Sequence, residues 1–404
     1  MLLPGAPVFA QAAAPASAAS AAGIVVRPEI APALEAARVA LQAQQYDEAL
    51  RQLGLADAVA DKTPVERYLL ERMRAAAALG KQDGPATLKA IDAALATDQA
   101  DPALKLQLLE QGTVTAYNLK DHDAVVRWTQ RFLDAGGSSA AAKLRMAQSQ
   151  YLLGRHAEAA KLLDDVAAQQ RAAGEKPSEV QLRLQVVNLQ KAGNDDAAMT
   201  RALDALLSAY PKPEIWTERL LRLARKPGFD DKLMPDLLRL GVAADAWPDG
   251  SGYADLADRA LRGGFAAEAK QVTDTGYTRG KLGQGPKAAE HASLRQQADA
   301  AAAKDRPELP DPKTISTREP RIVFATGWNL FTAGKTTEGL ALMEQAVPRA
   351  SAEQANEWKL RLGSAYATAG NAAKAREWLQ PLAAAPGDGD AATLARLWLL
   401  RAGG

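Results

Sequence analysis

Three histidines, His122, His156 and His291, are the side chains of this sequence best suited to acid–base or metal chemistry. A structural zinc site needs four ligands, and a catalytic one needs three with an open position. No third ligand accompanies His122 and His156, each of which stands just before a predicted helix. Cysteine is absent, and neither HExxH nor GxSxG occurs. We therefore predict packing roles for these histidines, with no catalytic residue and no metal.

Two short motifs resemble ligand-binding loops without completing them. Residues 334–336 (GKT) match the end of a phosphate-binding loop, but Asn329 occupies the place of its first glycine and no predicted strand precedes it. Residues 388–390 (DGD) lack the further oxygen ligands of a calcium loop. We interpret Gly334 as the end of a helix and Asp390 as the N-cap of another. No cofactor is expected.

A basic run at helical spacing comprises Arg219, Arg222, Arg225 and Lys226. Such a run predicts a solvated outer face, with contact to an acidic partner as the alternative. The whole chain has 49 Lys and Arg against 48 Asp and Glu, a formal net charge of +1. A balance this close gives no electrostatic attraction to nucleic acid or to an anionic membrane, so neither is expected as a partner.

The elements that hold these residues are predicted to be helices. Hydrophobic residues make up 47 % of the 404 positions but aromatic residues only 5 %, so alanine and leucine carry the apolar content. Both are strong helix formers, whereas residues that favour strands are scarce. The mean hydropathy of −0.23 and the lack of a long apolar run predict no membrane span. Trp216 and Trp247 stand near prolines and are expected to be partly exposed, unlike the other five tryptophans.

A self-similar pattern recurs along the chain and is clearest in residues 362–382, LGSAYATAGNAAKAREWLQPL. Residues 147–166 and 37–56 carry the same pattern of small and apolar positions. In the clearest copy the markers are Leu362, Gly363, Tyr366, Gly370, Ala375 and Leu379. A period of roughly 34 to 39 residues predicts an array of stacked helix pairs.

Glycine and alanine have separate roles in this pattern. Gly154 and Gly370 would end the first helix of a pair in a left-handed conformation that alanine resists. Ala159 and Ala375 would lie where the next helices must pass close together. With these residues at these offsets, the chain resembles the tetratricopeptide repeat (TPR) family. The resemblance implies an all-α fold: an α-α superhelix (TPR solenoid) of about eight to nine helix pairs, with a C-terminal capping helix at about 390–401.

Composition divides the chain into four segments. Residues 1–23 are predicted to be a signal-peptide remnant and a disordered Ala/Pro linker, followed by an N-terminal TPR-like array over 24–303. Residues 304–320 hold four prolines and many charges, which predicts a linker or long loop. A C-terminal TPR array and the capping helix would occupy 321–404.

The first twelve residues, MLLPGAPVFAQA, predict export. Cleavage after Ala10 or Ala12 would fit the small residues that a signal peptidase requires, although no basic segment precedes the apolar stretch. We interpret Met1 as a late start within a truncated signal, and we predict a periplasmic location. A disordered tail with no targeting role is the alternative.

The resemblance to the TPR family also implies where a partner binds. In that family the first helix of each pair lines a concave groove that holds an extended peptide or a partner helix. Carried over residue by residue, the groove candidates are Val114, Tyr117, Asn118, Arg145, Gln148, Tyr151, Arg183, Gln190 and Trp328. The Lys/Asn set with which some members clamp a peptide carboxylate is not reproduced at these positions.

The function implied by the resemblance is that of a non-enzymatic periplasmic scaffold or adaptor for a protein or peptide of the cell envelope. One setting is an energy-transducing system of the TonB–ExbB–ExbD type, because the chain looks similar to the repeat-containing accessory proteins of that system. An assembly factor for exopolysaccharide or outer-membrane protein export is the alternative. A hydrolytic enzyme is least favoured, since no catalytic constellation is found.

Overall fold

A computed structural model describes residues 26–193, 195–305, 312–386 and 389–403. The chain divides into two compact units, Met1–Asp195 and Asp196–Gly404. The segment predicted as a signal remnant and linker, 1–23, lies outside the described residues. Residues on both sides of the predicted 304–320 linker belong to the second unit, and the domain boundaries drawn from the sequence stay a prediction.

The first unit consists of consecutive helices joined by short turns. They are α1 (Ala31–Gln42), α2 (Tyr46–Asp57), α3 (Pro64–Gly80), α4 (Gly84–Leu95), α5 (Pro102–Asn118), α6 (His122–Asp134), α7 (Ala140–Leu152), α8 (His156–Ala172) and α9 (Glu179–Ala192). Each odd-numbered helix from α1 to α7 packs against the helix that follows it, and each resulting pair packs against the next.

The second unit is also helical. It contains α10 (Asp196–Ala209), α11 (Pro213–Ala224), α12 (Met234–Ala243), α13 (Ser251–Arg262), α14 (Ala266–Thr278), α15 (Ala288–Asp305), α16 (Pro312–Ile315), α17 (Pro320–Thr332), α18 (Thr336–Ala346), α19 (Ala352–Thr368), α20 (Ala372–Ala383) and α21 (Asp390–Gly403). Short 3-10 turns lie at Asp231–Leu233, Gly285–Lys287 and Val347–Arg349. No strand occurs in the part of the chain that the structure describes, so the predicted all-α fold of helix pairs is confirmed.

One turn recurs between the two helices of a pair. A residue with positive φ stands two positions before the second helix begins, at Gln44, Gln82, Lys120, Gly154, Gly264, Gly334 and Gly370. The next backbone N–H then returns to a carbonyl five residues earlier, as from Arg155 to Gln150 at 2.8 Å. This bond satisfies a carbonyl that the helix end leaves unpaired. The predicted helix-ending role of Gly154, Gly334 and Gly370 is confirmed.

Lys120→Gly is expected to stabilise the first unit by about 0.5–1 kcal/mol. Lys120 has a φ of 59°, in the left-handed region, where a side chain costs about 1–2 kcal/mol and glycine loses only part of that in chain entropy. Urea unfolding measures the difference. Gly154→Ala is the reverse change at the equivalent turn position. The new methyl group would have no neighbouring atom within 4 Å. Gly154→Ala should therefore destabilise the first unit by about 1 kcal/mol through backbone strain alone. Equal stability of the unchanged protein, Lys120→Gly and Gly154→Ala would contradict a strained turn.

Small residues lie where neighbouring helices approach each other most closely. Ala49, Ala159 and Ala375 are fully buried, as predicted. Between α17 and α18 the approach is closer still. A methyl group on Gly339 would lie 2.5 Å from the backbone nitrogen of Phe331 and 2.6 Å from the carbonyl oxygen of Gly327. These two helices therefore pack backbone against backbone.

The two tryptophans expected to be partly exposed are buried, so that prediction is wrong. Trp216 is 3 % exposed and Trp247 is 4 % exposed. The Trp247 ring lies against Gly241 and Gly252, where an added methyl group would come within 2.2 and 2.4 Å of its atoms. The glycines supply the space that the indole fills, whereas the neighbouring prolines indicated only a chain turn.

The basic run at 219–226 is not wholly a solvated face. Arg219 is 2 % exposed, and its Nε donates to Asp204 Oδ1 at 2.6 Å. Arg222 lies nearer the surface and pairs with Asp196. The prediction fails at Arg219 because a buried guanidinium is stable when a carboxylate of another helix accepts its hydrogen bond.

The second unit also brings distant helices together. Helix α12 contacts α19 and α21, and α14 contacts α17. The predicted capping helix is α21, in which Leu394, Leu397 and Trp398 are buried. Asp390 begins this helix, and its carboxylate accepts hydrogen bonds from Lys226 Nζ and from the Asp230 backbone N–H, each at 2.9 Å. Asp388, the first residue of the 388–390 motif, lies outside the described residues.

A cluster of buried charges joins α12, α14, α17 and α19. Arg239 donates to both oxygens of Glu268 at 2.6 and 2.9 Å, and to Asp236 at 2.9 Å. Arg361 donates to both oxygens of Asp236, from Nε at 3.1 and 3.2 Å. Trp328 Nε1 donates a further hydrogen bond to Glu268 at 3.0 Å. The Arg239 guanidinium lies over the Trp328 ring, 4.4 Å from its centre. Burial alone would lower the pKa of Arg239, but the two carboxylates outweigh it and raise that pKa.

Candidate protein-binding surface

Eight of the nine predicted groove residues lie on the first helices α5, α7 and α9 of the first unit. On α5 and α7, three of them contact one another. Tyr117 Oη donates to Gln148 Oε1 at 2.7 Å, and the Arg145 guanidinium lies 6.0 Å from the centre of the Tyr117 ring. The repeat spacing thus places these side chains on the same side of adjacent helices.

A second contact continues this surface from α7 to α9. Lys191 Nζ lies 5.7 Å from the centre of the Tyr151 ring. The His156 ring lies 5.4 Å from the same tyrosine, at the start of α8. We call Tyr117, Arg145, Gln148, Tyr151 and Lys191 the tyrosine–cation row. Lys191 was missed from the sequence, although its place near the helix-ending Gly193 could have indicated it.

The remaining predicted residues are not part of these contacts. Val114 is half-buried, while Asn118 and Gln190 are exposed. Arg183 pairs with Glu179 of its own helix, with Nε 2.9 Å from Oε1. Trp328 belongs to the second unit and is 5 % exposed, so it offers little surface to a protein partner. The transfer of a groove position to Trp328 fails because other helices of its unit cover it.

The row carries positive charge that the described residues do not neutralise. Neither Arg145 nor Lys191 has a carboxylate within ion-pair distance among the described residues, and each lies over a tyrosine ring instead. Such stacking leaves the outer side of a cation open to an anion. Two leucines at the ends of α5 and α7 are exposed: Leu119 is 43 % and Leu152 is 52 % exposed.

His122 and His156 connect successive helix pairs, as their predicted packing role requires. His122 Nδ1 lies 3.3 Å from Ser149 Oγ, and His156 Nδ1 lies 3.0 Å from Asn188 Oδ1. Both rings therefore reach from the start of a second helix to the next first helix. His291 is 5 % exposed in the second unit. Within the described ranges no group of three metal-ligating side chains is poised for an ion.

No helix in the described part of the chain combines the length and the apolar character that crossing a bilayer requires.

Comparison with solved structures finds weak likenesses. The chain is similar to one in a structure of Naa15/Naa10 bound to HypK-THB, with 12 % identity, a TM-score of 0.26, and coverage of 90 % of this chain and 70 % of that chain. It is also similar to yeast Tom70, with 10 % identity, a TM-score of 0.22, and coverage of 93 % and 95 %. No protein-family model and no curated protein matches the chain. The TPR-like fold of helix pairs therefore stands on the turns and contacts described above.

Proposed function

We propose that the chain is a non-enzymatic scaffold that binds a protein partner on the tyrosine–cation row. The observation that carries the proposal is the continuity of this row across α5, α7 and α9, with two cations that no described carboxylate neutralises. A row that crosses successive first helices is suited to an extended segment, because each helix adds one further set of contacts.

The partner segment proposed here is acidic with apolar side chains between its carboxylates. Arg145 and Lys191 would pair with the carboxylates, and Leu119 and Leu152 would contact the apolar side chains. Packed helices lie about 8–10 Å apart, and an extended chain advances about 3.3 Å per residue. Contacts to adjacent first helices therefore fall roughly three residues apart along the partner.

Site-specific photo-crosslinking in cells tests this function. A photoreactive residue at Leu152 should capture a discrete partner, whereas one at Asp165, exposed on α8, should not. The double variant Arg145→Glu/Lys191→Glu should reduce capture from Leu152 at least tenfold, because it replaces attraction to an acidic segment with repulsion.

A matched double variant makes the test specific to the row. Lys161→Glu/Arg171→Glu produces the same change in net charge on exposed positions of α8, and capture should persist. Equal capture from Leu152 and Asp165, or capture that survives charge reversal in the row, would contradict the proposal.

We further propose that the scaffold works in the periplasm, and its support is the sequence of residues 1–12. Within that compartment we favour an energy-transducing assembly of the TonB–ExbB–ExbD type, with exopolysaccharide or outer-membrane protein export as the alternative. Mass spectrometry of the captured partner separates these settings. Recovery of an uncleaved chain from the cytoplasm would contradict the proposed location.

A further inference from the structure

A cavity of about 330 Å³ lies in the second unit, among α12, α13, α14, α17, α19 and α21. Its size is at the lower end of the range for small-molecule sites. Since a water molecule takes about 30 Å³ of liquid volume, the space suits a ligand of roughly ten non-hydrogen atoms. It lies in a different unit from the tyrosine–cation row, so it is a separate feature of the molecule.

Two of the three arginines that line the cavity converge on the end of α12. Arg279 Nη1 donates to the Val242 carbonyl, and Arg401 Nη2 donates to the Ala243 carbonyl, each at 2.7 Å. The carbonyls at the C-terminal end of a helix attract cations. Burial lowers the pKa of Arg401, and the nearby charge of Arg279 lowers it further. The two guanidinium groups are thus close enough to repel each other.

The described carboxylates do not balance this charge. Asp245 lies 3.7 Å from Arg279 and 3.5 Å from Lys281, and it serves both. Arg401 has no ion-pair partner among the described residues. Arg279 and Lys281 therefore share one carboxylate and Arg401 pairs with none in the described part of the chain, which leaves an excess of positive charge.

The other walls of the cavity combine apolar side chains with uncharged polar ones. Leu256, Val272 and Phe331 line it together with the Trp398 ring. Trp398 is 2 % exposed, and its Nε1 has no hydrogen-bond partner in the described part of the chain. Buried donors without a partner are rare in folded proteins. This nitrogen is covered by neighbouring protein atoms and is not among the groups that would contact a ligand.

The acidic residue in the wall does not oppose an anion. Glu268 lines the cavity, but Arg239 pairs with both of its oxygens and Trp328 Nε1 donates to one of them. Its charge is therefore compensated within the wall, while those of Arg279 and Arg401 are not compensated to the same extent.

We propose that this cavity binds a small organic carboxylate. The carboxylate group would pair with Arg279 and Arg401, and an apolar body of a few carbon atoms would fill the space between Leu256, Val272 and Phe331. Arginine is suited to this role because its planar fork donates two parallel hydrogen bonds to a carboxylate.

Calorimetric titration of the full chain tests the proposal with three probes of graded chemistry. Phenylacetate offers a carboxylate and an apolar ring, phenylacetamide is its neutral counterpart, and inorganic phosphate is an anion without an apolar body. Phenylacetate should bind saturably at one site, and the other two should bind at least tenfold more weakly.

A short peptide that ends in phenylalanine, with a free or an amidated C-terminus, is the fourth probe. Tighter binding of the free-acid peptide than of phenylacetate would identify a chain terminus as the source of the carboxylate, and weaker binding a free acid.

Variants locate the site. Arg401→Gln should weaken phenylacetate at least tenfold. Arg262→Gln, which makes the same charge change at a side chain 66 % exposed and paired with Asp258, should leave binding unchanged. Ala367→Leu fills part of the cavity without altering charge, and it should also weaken binding. It serves as the second test if Arg401→Gln fails to fold.

Equal affinity for phenylacetate and phenylacetamide, or no binding of phenylacetate, would overturn the proposal and leave the arginines as caps of α12. Unchanged affinity in Arg401→Gln and Ala367→Leu would overturn it as well.

Discussion

Arg239→Met is expected to lower the free energy of unfolding of the second unit by about 3–5 kcal/mol. The substitution keeps much of the side-chain volume but removes the partner of two carboxylates, Glu268 at 3 % exposure and Asp236 at 1 %. Asp236 would keep Arg361, whereas Glu268 would keep only the Trp328 N–H. A buried carboxylate without a cation costs far more than the lost hydrogen bonds.

Urea unfolding followed by tryptophan fluorescence measures this loss, because Trp328 is part of the cluster. Arg262→Met is the control, since Arg262 is 66 % exposed and pairs with Asp258 only at the surface. It should change stability by less than about 0.5 kcal/mol. A loss of less than about 1 kcal/mol in Arg239→Met would show that water or a rearranged arginine compensates Glu268.

Gly339→Ala should destabilise the second unit by about 3 kcal/mol, although alanine is the better helix former. The new methyl group would lie 2.5 Å from a backbone nitrogen and 2.6 Å from a carbonyl oxygen of α17. Neither atom can move away without displacing its helix, so α17 and α18 would have to separate, and overpacking of this kind costs about 1–3 kcal/mol or more.

Gly54→Ala is the matched control with the opposite sign. Gly54 lies within α2, is exposed, and has no atom within 4 Å of the added methyl group. Alanine should therefore stabilise α2 by about 0.5–1 kcal/mol through helix propensity. Thermal unfolding of both variants separates propensity from close packing, and a stabilised Gly339→Ala would contradict the backbone contact between α17 and α18.

Local patterns in the sequence predict the fold well because the helix-pair turn is a local structure. The positive φ of Gly154 and Gly370 and the full burial of Ala159 and Ala375 follow from a few neighbouring residues. The same turn at Lys120 was less visible, since lysine is not a residue that indicates a left-handed conformation.

Contacts between distant helices were beyond the reach of the sequence. Asp236 pairs with Arg361, which lies 125 residues further along the chain. Neither residue belongs to the repeat pattern, and a charged residue taken by itself is expected at the surface. The cavity has the same origin, because its walls come from six helices, several of which lie far apart in the chain.

The candidate binding surface was predictable in part for a similar reason. Tyr117, Arg145 and Gln148 contact one another because the repeat spacing sets the register of α5 and α7. Trp328 occupies the corresponding repeat position, but contacts with α12 and α14 enclose it. Repeat register predicts which side of a helix a residue faces, whereas exposure depends on what else packs there.

The contacts that close the second unit also set an order in which the chain can fold. Helices of the first unit contact mainly their sequence neighbours, so each pair can form as soon as it has been synthesised. Helix α12 can pack against α11 and α13 early, but it must wait for α19 and α21 before its contacts are complete. Until α19 emerges from the ribosome, Asp236 lacks Arg361, and until α21 emerges the apolar face that Trp398 covers stays in water. During synthesis the second unit therefore exposes apolar surface for longer than the first unit does. A chaperone would bind the nascent chain at that surface.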